Sequence, residues 1–235
     1  MKKSKIEWTD SSWNPVTGCT KISVGCANCY AERMANRLFA MGNKRYKNKF
    51  TVTLHYDLLD APSKIRKPSI IFVNSMSDLF HESVPDEFIF SVFKVMNDNS
   101  QHIFQVLTKR SKRMLTMNKA LKWTKNIWMG VTVENNEYMD RIEDLKRTNA
   151  KVKFLSCEPL LGSLKNASFS GIDWIVVGGE SGPRARPMKE EWVLQLRNIC
   201  EIEGIDFFFK QWGGVRKKQN GRLLEGKEFN AMPNI

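Results

Sequence analysis

Three cysteines fall within eleven residues, in the segment 18–30 that reads GCTKISVGCANCY. Cys19, Cys26 and Cys29 are spaced C-x6-C-x2-C, directly before a helical pattern. Three thiolates on one loop can hold one metal centre. Zinc would want a fourth protein ligand. None stands close in sequence, so His55, His81, His102 or Cys157 would have to be brought in by folding. A cubane iron–sulfur cluster on three cysteines leaves one iron open, and a substrate can coordinate there. Buried or redox cysteines unrelated to metal are the third reading. The spacing favours the open-iron cluster and leaves the other two standing. The chain has five cysteines, an odd number, which argues against a disulfide framework and for a reducing, cytoplasmic setting.

Other groups suited to chemistry follow apolar runs. Asn74, Ser75, Ser77 and Asp78 follow the first, Lys109 and Arg110 the second, and Glu134 the third. Cys157 and Glu158 follow the fourth, Gly178-Gly179-Glu180 the fifth, and Lys210 closes the sixth. Sites of parallel α/β sheets and barrels lie at such strand ends. Solvated loops that begin where strands stop are the bland alternative. Cys157, beside Glu158, is either a hydrogen-atom donor, a remote ligand or a small apolar filler; Cys200 sits on a helix core face and reads as inert. Arg184 and Arg186 in a Pro-stiffened loop could grip phosphate. Arg110 and Arg113 belong to a second basic cluster, residues 44–49 hold a third and residues 216–218 a fourth. Trp8, Trp13, Tyr46 and Trp212 are candidates to stack on bases, or simply to fill the core.

The elements that must position these groups show a clear rhythm. Apolar runs at 69–74, 102–108, 127–133, 152–156, 174–178 and 205–210 are mostly continuous, as in strands buried on both faces. Helical patterns separate them: after Pro85, around Met139, Ile142 and Leu145, and over 190–203 with Gly204 as stop. The segment 30–41 also reads as a helix, with Met34, Leu38 and Met41 inward. One more strand is expected near 14–18. About six or seven β/α units result, and 235 residues are slightly short for a complete eight-fold barrel of about 250. The expected fold is therefore α/β, a partial (β/α)6–7 TIM-like barrel over 1–213; a doubly wound open sheet competes. A basic C-terminal extension over 214–235 turns at Asn220-Gly221.

Thirty-seven Lys and Arg against 25 Asp and Glu give a net charge of +12. That surplus points to a polyanionic partner, nucleic acid first. No apolar signal core or membrane-length stretch appears, so a soluble cytoplasmic monomer is expected.

Longer words then carry a resemblance: IEWT at 6–9, WNPVTGC at 13–19, CYAE at 29–32, NSMSDLF at 74–80, LTKR at 107–110, GVTVE at 130–134, EPLLG at 158–162, GGESG at 178–182 and FKQWG at 209–213. Together they resemble a three-cysteine, radical-SAM-like family of phage and bacterial genomes, over nearly the whole chain. The first cysteine gap is six where most radical-SAM enzymes have three, and Asn28 stands where they carry an aromatic. The resemblance implies a [4Fe–4S] cluster on Cys19, Cys26 and Cys29. Its open iron would take S-adenosylmethionine (SAM), whose one-electron cleavage gives a 5′-deoxyadenosyl radical. By strand position, SAM contacts are expected from Asn74, Ser75, Ser77, Asp78, Lys109 and Glu134, with Glu180 and Lys210 nearer the substrate; Cys157 is a further candidate there, although the family usually carries an aliphatic residue at its position. Arg110, Arg113, Arg184 and Arg186 would meet nucleic acid, DNA more than RNA. Flavodoxin or ferredoxin would supply electrons. The family is similar in outline to spore photoproduct lyase, which implies base modification or lesion repair. A small-molecule or peptide substrate, and a non-catalytic zinc module that binds nucleic acid, remain alternatives.

Overall fold

The computed structural model describes residues 4 and 6–234. Its strands are β1 Ser11–Trp13, β2 Val16–Thr17, β3 Thr53–Leu54, β4 Ile70–Val73, β5 Ile103–Thr108, β6 Ile127–Thr132, β7 Val152–Cys157, β8 Trp174–Gly178 and β9 Asp206–Gln211. The helices are α1 Tyr30–Ala40, α2 Asp86–Asp98, α3 Ser111–Met117, α4 Asp140–Lys146, α5 Glu190–Glu203 and α6 Lys217–Asn220. Seven strands form one parallel sheet in the order β1-β4-β5-β6-β7-β8-β9. Because that order follows the chain, every crossover steps in the same direction. The sheet curls into a half-barrel with helices outside, the partial barrel expected from the alternating pattern.

The six apolar runs all become strands. The first strand differs from expectation. It lies at 11–13 and pairs with β4, whereas residues 16–17 join β3 in a separate antiparallel ribbon. Pro15 cannot donate to a ladder, so the chain leaves the main sheet there. The β7–β8 crossover contains no α-helix; Leu160, Leu164, Phe169 and Ile172 cover that part of the sheet from irregular backbone. Helix α5 ends where Gly204 adopts the left-handed conformation, φ 68°. On α1 the expected stripe holds only at Leu38, which packs on the core; Met34 and Met41 are exposed, and Ala31 and Ala35 are the buried residues. The helix sits close over Tyr46 and Met76, and small residues allow that approach.

Strand alternation divides two cores. Residues such as Ile71, Phe104, Met129 and Leu155 meet the helices. Inside the barrel, Trp8, Phe72, Trp128, Phe154, Trp174 and Phe208 pack edge to face, with Trp8 5.1 Å from Phe72 and 5.4 Å from Trp174. This aromatic layer fills the barrel below the C-terminal strand ends. Gly130 makes room for it, since a Cβ there would lie 2.5 Å from the Phe154 ring.

The tail turns at Glu225-Gly226, both at positive φ (49° and 75°), and not at Asn220-Gly221, which ends the short α6. It then runs along β9: Phe209 N donates to Phe229 O, Ala231 N to Phe207 O, and Trp174 Nε1 to Ala231 O. The exposed edge of β9 is thereby covered. Among the described residues no helix is long and apolar enough to cross a membrane.

Candidate metal centre

The cysteine loop lies across the mouth of the half-barrel, and groups following β4, β5, β6 and β8 hold it. Gly18 N donates to Met76 O, beyond β4. Arg110, beyond β5, donates to Thr20 O at 3.3 Å and Thr20 Oγ1 at 3.0 Å. Glu134, beyond β6, accepts from Ser23 Oγ, and Glu180, beyond β8, accepts from Asn28 Nδ2 at 3.0 Å. Within the loop a 3₁₀ turn spans Val24–Cys26, and Cys29 is the N-cap of α1. Gly25 is required: a Cβ there would stand 2.4 Å from Glu134 Oε1.

All three thiols are free and half-buried. Burial and the Asp78 carboxylate push the Cys19 thiol up to about 11, against the pull of Arg110, whose Nη1 is 3.5 Å from the sulfur. Burial also opposes ionisation of Cys26, but Lys109 and hydrogen bonds from the Ile22 and Ser23 backbone outweigh it and lower that thiol. Among the described residues no three His, Cys, Asp or Glu side chains close on a single-ion position. The distant zinc ligands weighed from sequence each have other partners or places, His81 beside the cysteine loop itself. His55 pairs with Thr17 Oγ1, and both His81 nitrogens are used, by Thr20 Oγ1 and Ser83 N. His102 precedes β5, at the opposite end of the sheet, and Cys157 packs in the helix-side core. Three soft donors along one loop are of the chemical type that can hold a multi-iron cluster, in which each sulfur binds its own iron.

Beneath the loop, the expected SAM contacts divide into two groups. Asp78 is spent on the protein: its oxygens accept from Phe80 N, Thr108 Oγ1, Lys109 N and Arg110 Nη1. Ser77 Oγ donates to Val16 O, and Ser75 Oγ to Asn14 Oδ1. Glu134 is wholly buried against Arg141 Nη1 at 2.9 Å, with Lys109 Nζ at 3.6 Å. Asn74 differs. Its Oδ1 accepts from Val16 N, but its buried Nδ2 has no protein partner. Lys109 also keeps part of its surface at the mouth.

Of the expected substrate-side residues, Lys210 points into the barrel and pairs with Glu158 Oε1 at 2.9 Å. The pair spans β8, where Gly178 leaves space; a Cβ there would come within 2.6 Å of that oxygen. Glu158 stands among the strand-end groups of the sequence reading, without a role of its own, and the structure turns it inward to meet Lys210. Glu180 is committed to Arg186 Nε and Nη2, and its carboxyl is pulled down to about 2 by Arg186 and Asn28 in spite of burial. Cys157 is fully buried on the helix side of β7, facing away from the mouth, and burial raises its thiol far above the ordinary range.

Among the expected nucleic-acid contacts, Arg110 is buried against Asp78 and Glu82, and Arg113 spends its donors on Val84 O and Asp86. Arg186 is half-buried, whereas Arg184 is exposed at the rim. The aromatics considered for stacking have other places. Trp8 is in the barrel floor, Trp13 and Tyr46 are buried, and Trp212 packs on Phe209.

The sequence matches, over residues 3–233, a family described as "Protein of unknown function (DUF5131)". The chain belongs to this family. No curated protein matches the DUF5131 chain in sequence. Its structure is similar to that of spore photoproduct lyase complexed with a dinucleoside spore photoproduct. The TM-score is 0.50 at 12% identity, over 75% of this chain and 57% of the lyase chain. A cysteine-to-serine mutant of the lyase gives 0.49 at the same identity and coverage. The DUF5131 chain thus spans a little over half the length of the lyase, and at this identity the likeness is one of fold.

Proposed function

We propose that this DUF5131 protein is a radical-SAM enzyme acting on nucleic acid, DNA in the first place. The observation that carries the reading is the three-thiol loop laid across the C-terminal mouth of a parallel half-barrel. Cys19, Cys26 and Cys29 would hold a [4Fe–4S] cluster. When bound, that group supplies the one-electron reductive cleavage of SAM. Lys109, between Cys26 and Glu134, offers a cation to the SAM carboxylate. Asn74 Nδ2, beyond the neighbouring strand β4, is a buried donor without a protein partner. The aromatic layer below keeps bulk water from entering through the barrel floor. Lys210 and Glu158 present a donor and an acceptor on the substrate side. Nucleic acid is favoured by the +12 charge and by the lyase of similar fold, whose bound ligand is a dinucleoside spore photoproduct. Exposed Arg184 and the lysines at 44, 47 and 49 would meet phosphates. A small acidic carrier such as flavodoxin or ferredoxin would deliver electrons.

Anaerobic purification tests the reading. The wild type should carry iron and sulfide and form 5′-deoxyadenosine from SAM under a strong reductant, whereas Cys26→Ala should do neither. Oligonucleotide binding should weaken steeply between low and moderate salt, by about a thousandfold or more if six phosphates are contacted. Zinc-loaded protein inert to SAM would contradict the enzyme reading. Salt-insensitive binding, or none, would contradict the substrate.

A further inference from the structure

We infer that Glu134 and Glu180 are positioning residues, two carboxylate clamps that hold the cysteine loop in place before any metal arrives. The inference rests on the loop being the cluster loop, and it gives these carboxylates a role other than ligand contact.

The first clamp stands beyond β6. Glu134 Oε1 accepts from Ser23 Oγ, and Oε2 from Arg141 Nη1 at 2.9 Å. Arg141 Nη1 also donates to Thr132 O at 2.8 Å, which ties the guanidinium to the strand itself. The Arg141 guanidinium lies 4.2 Å from the Tyr138 ring centroid, and the Tyr138 hydroxyl accepts from Val24 N at 3.0 Å. Gly25 closes onto the Glu134 side chain. The second clamp stands beyond β8. Glu180 Oε2 accepts from Asn28 Nδ2, Arg186 N and Arg186 Nε, and Oε1 accepts from Arg186 Nη2. Arg186 Nη2 also donates to Val24 O at 3.0 Å. Arg33 completes this side, donating to Asn28 O at 2.8 Å and Ser181 O at 3.1 Å.

The two clamps meet at one residue. Val24 is held by its N–H from the β6 side and by its carbonyl from the β8 side. Val24 lies in the long gap between Cys19 and Cys26, the part of the loop that ligation constrains least. Ordering each residue of such a segment costs backbone conformational entropy. Contacts present in the metal-free protein meet that cost in advance, so the sulfurs start near their bound positions. The carboxylates do this with oxygens already engaged, which leaves the mouth to Asn74, Lys109, Glu158 and Lys210.

Amide hydrogen exchange on the metal-free, full-length protein tests the clamps without any cluster. Glu180→Gln and Tyr138→Phe should each speed exchange over residues 22–28 by about tenfold and leave the strand amides unchanged. Asp57→Asn, which breaks the remote pair of Asp57 with Arg45, should not affect the loop. Tyr138→Phe removes one hydroxyl from the periphery and keeps the test usable if Glu180→Gln does not fold. After iron and sulfide loading, the Glu180→Gln protein should keep its iron but show a shifted electron paramagnetic resonance spectrum. Unchanged loop exchange in both Glu180→Gln and Tyr138→Phe would overturn the inference, as would an unshifted spectrum. If the wild type takes up no iron, the cluster reading fails, and the exchange data still decide whether the clamps exist.

Discussion

Glu180 shows what a single side chain does here. Burial resists its ionisation, but Arg186 and Asn28 hold the carboxyl at about 2, below the ordinary 4.5. A carboxylate lowered on folding stabilises the native state above its unfolded value, and the gain is lost as pH falls through the folded one. The window is therefore from about 4.5 down to about 2. Denaturant unfolding at stepped pH should show wild-type stability falling across that window, with a shallower fall in Glu180→Gln. Equal slopes would mean that the Arg186 pairing does not survive in solution. The cysteines were legible at this scale because their spacing is local. The partners of Glu134 and Glu180 were not. Ser23 and Glu134 are 111 residues apart, and Asn28 and Glu180 are 152 apart. Pairings at such separations leave no pattern in a sequence window. Polar residues at the strand ends therefore read as ligand contacts, although several of them brace the loop.

At the scale of elements, continuous apolar runs identified six strands because a strand covered on both faces needs them. Composition failed where geometry decides. Residues 16–17 look like a strand and are one, but Pro15 diverts them from the main sheet. Helix α1 leaves Met34 and Met41 exposed, because close approach to Tyr46 and Met76 selects alanines at the contact, with Leu38 at its edge. Two glycines separate conformational from steric demands. Gly204 caps α5 at positive φ with open space around it, so Gly204→Ala should cost only about 1 kcal/mol. A Cβ on Gly179 would lie 1.9 Å from Trp212 O, so Gly179→Ala must displace backbone between β8 and the chain after β9. It should cost several times as much, and denaturant midpoints of the two variants check the order. Similar losses would show that the backbone yields at Gly179 and that the mouth is softer than its packing indicates.

For the whole molecule, seven parallel strands in chain order bring their C-terminal ends to one mouth, and the cysteine loop crosses it. The alternating pattern made the half-barrel readable. The interior did not announce itself in the same way, because Trp8 reads from sequence as either a base-stacking or a core aromatic, and the closed barrel makes it part of the floor. The positive charge is a property of the whole chain, but the structure sorts its arginines: Arg110 serves the loop from inside, while Arg184 stays on the rim. The central claim is that Cys19, Cys26 and Cys29 hold a cluster with one open iron facing the mouth. Electron paramagnetic resonance of the anaerobically reduced protein, with and without SAM, tests it most directly. The account predicts a reduced [4Fe–4S] signal that changes on adding SAM and is lost in Cys26→Ala. A protein that shows no iron signal after cluster loading, or a signal indifferent to SAM, would contradict it.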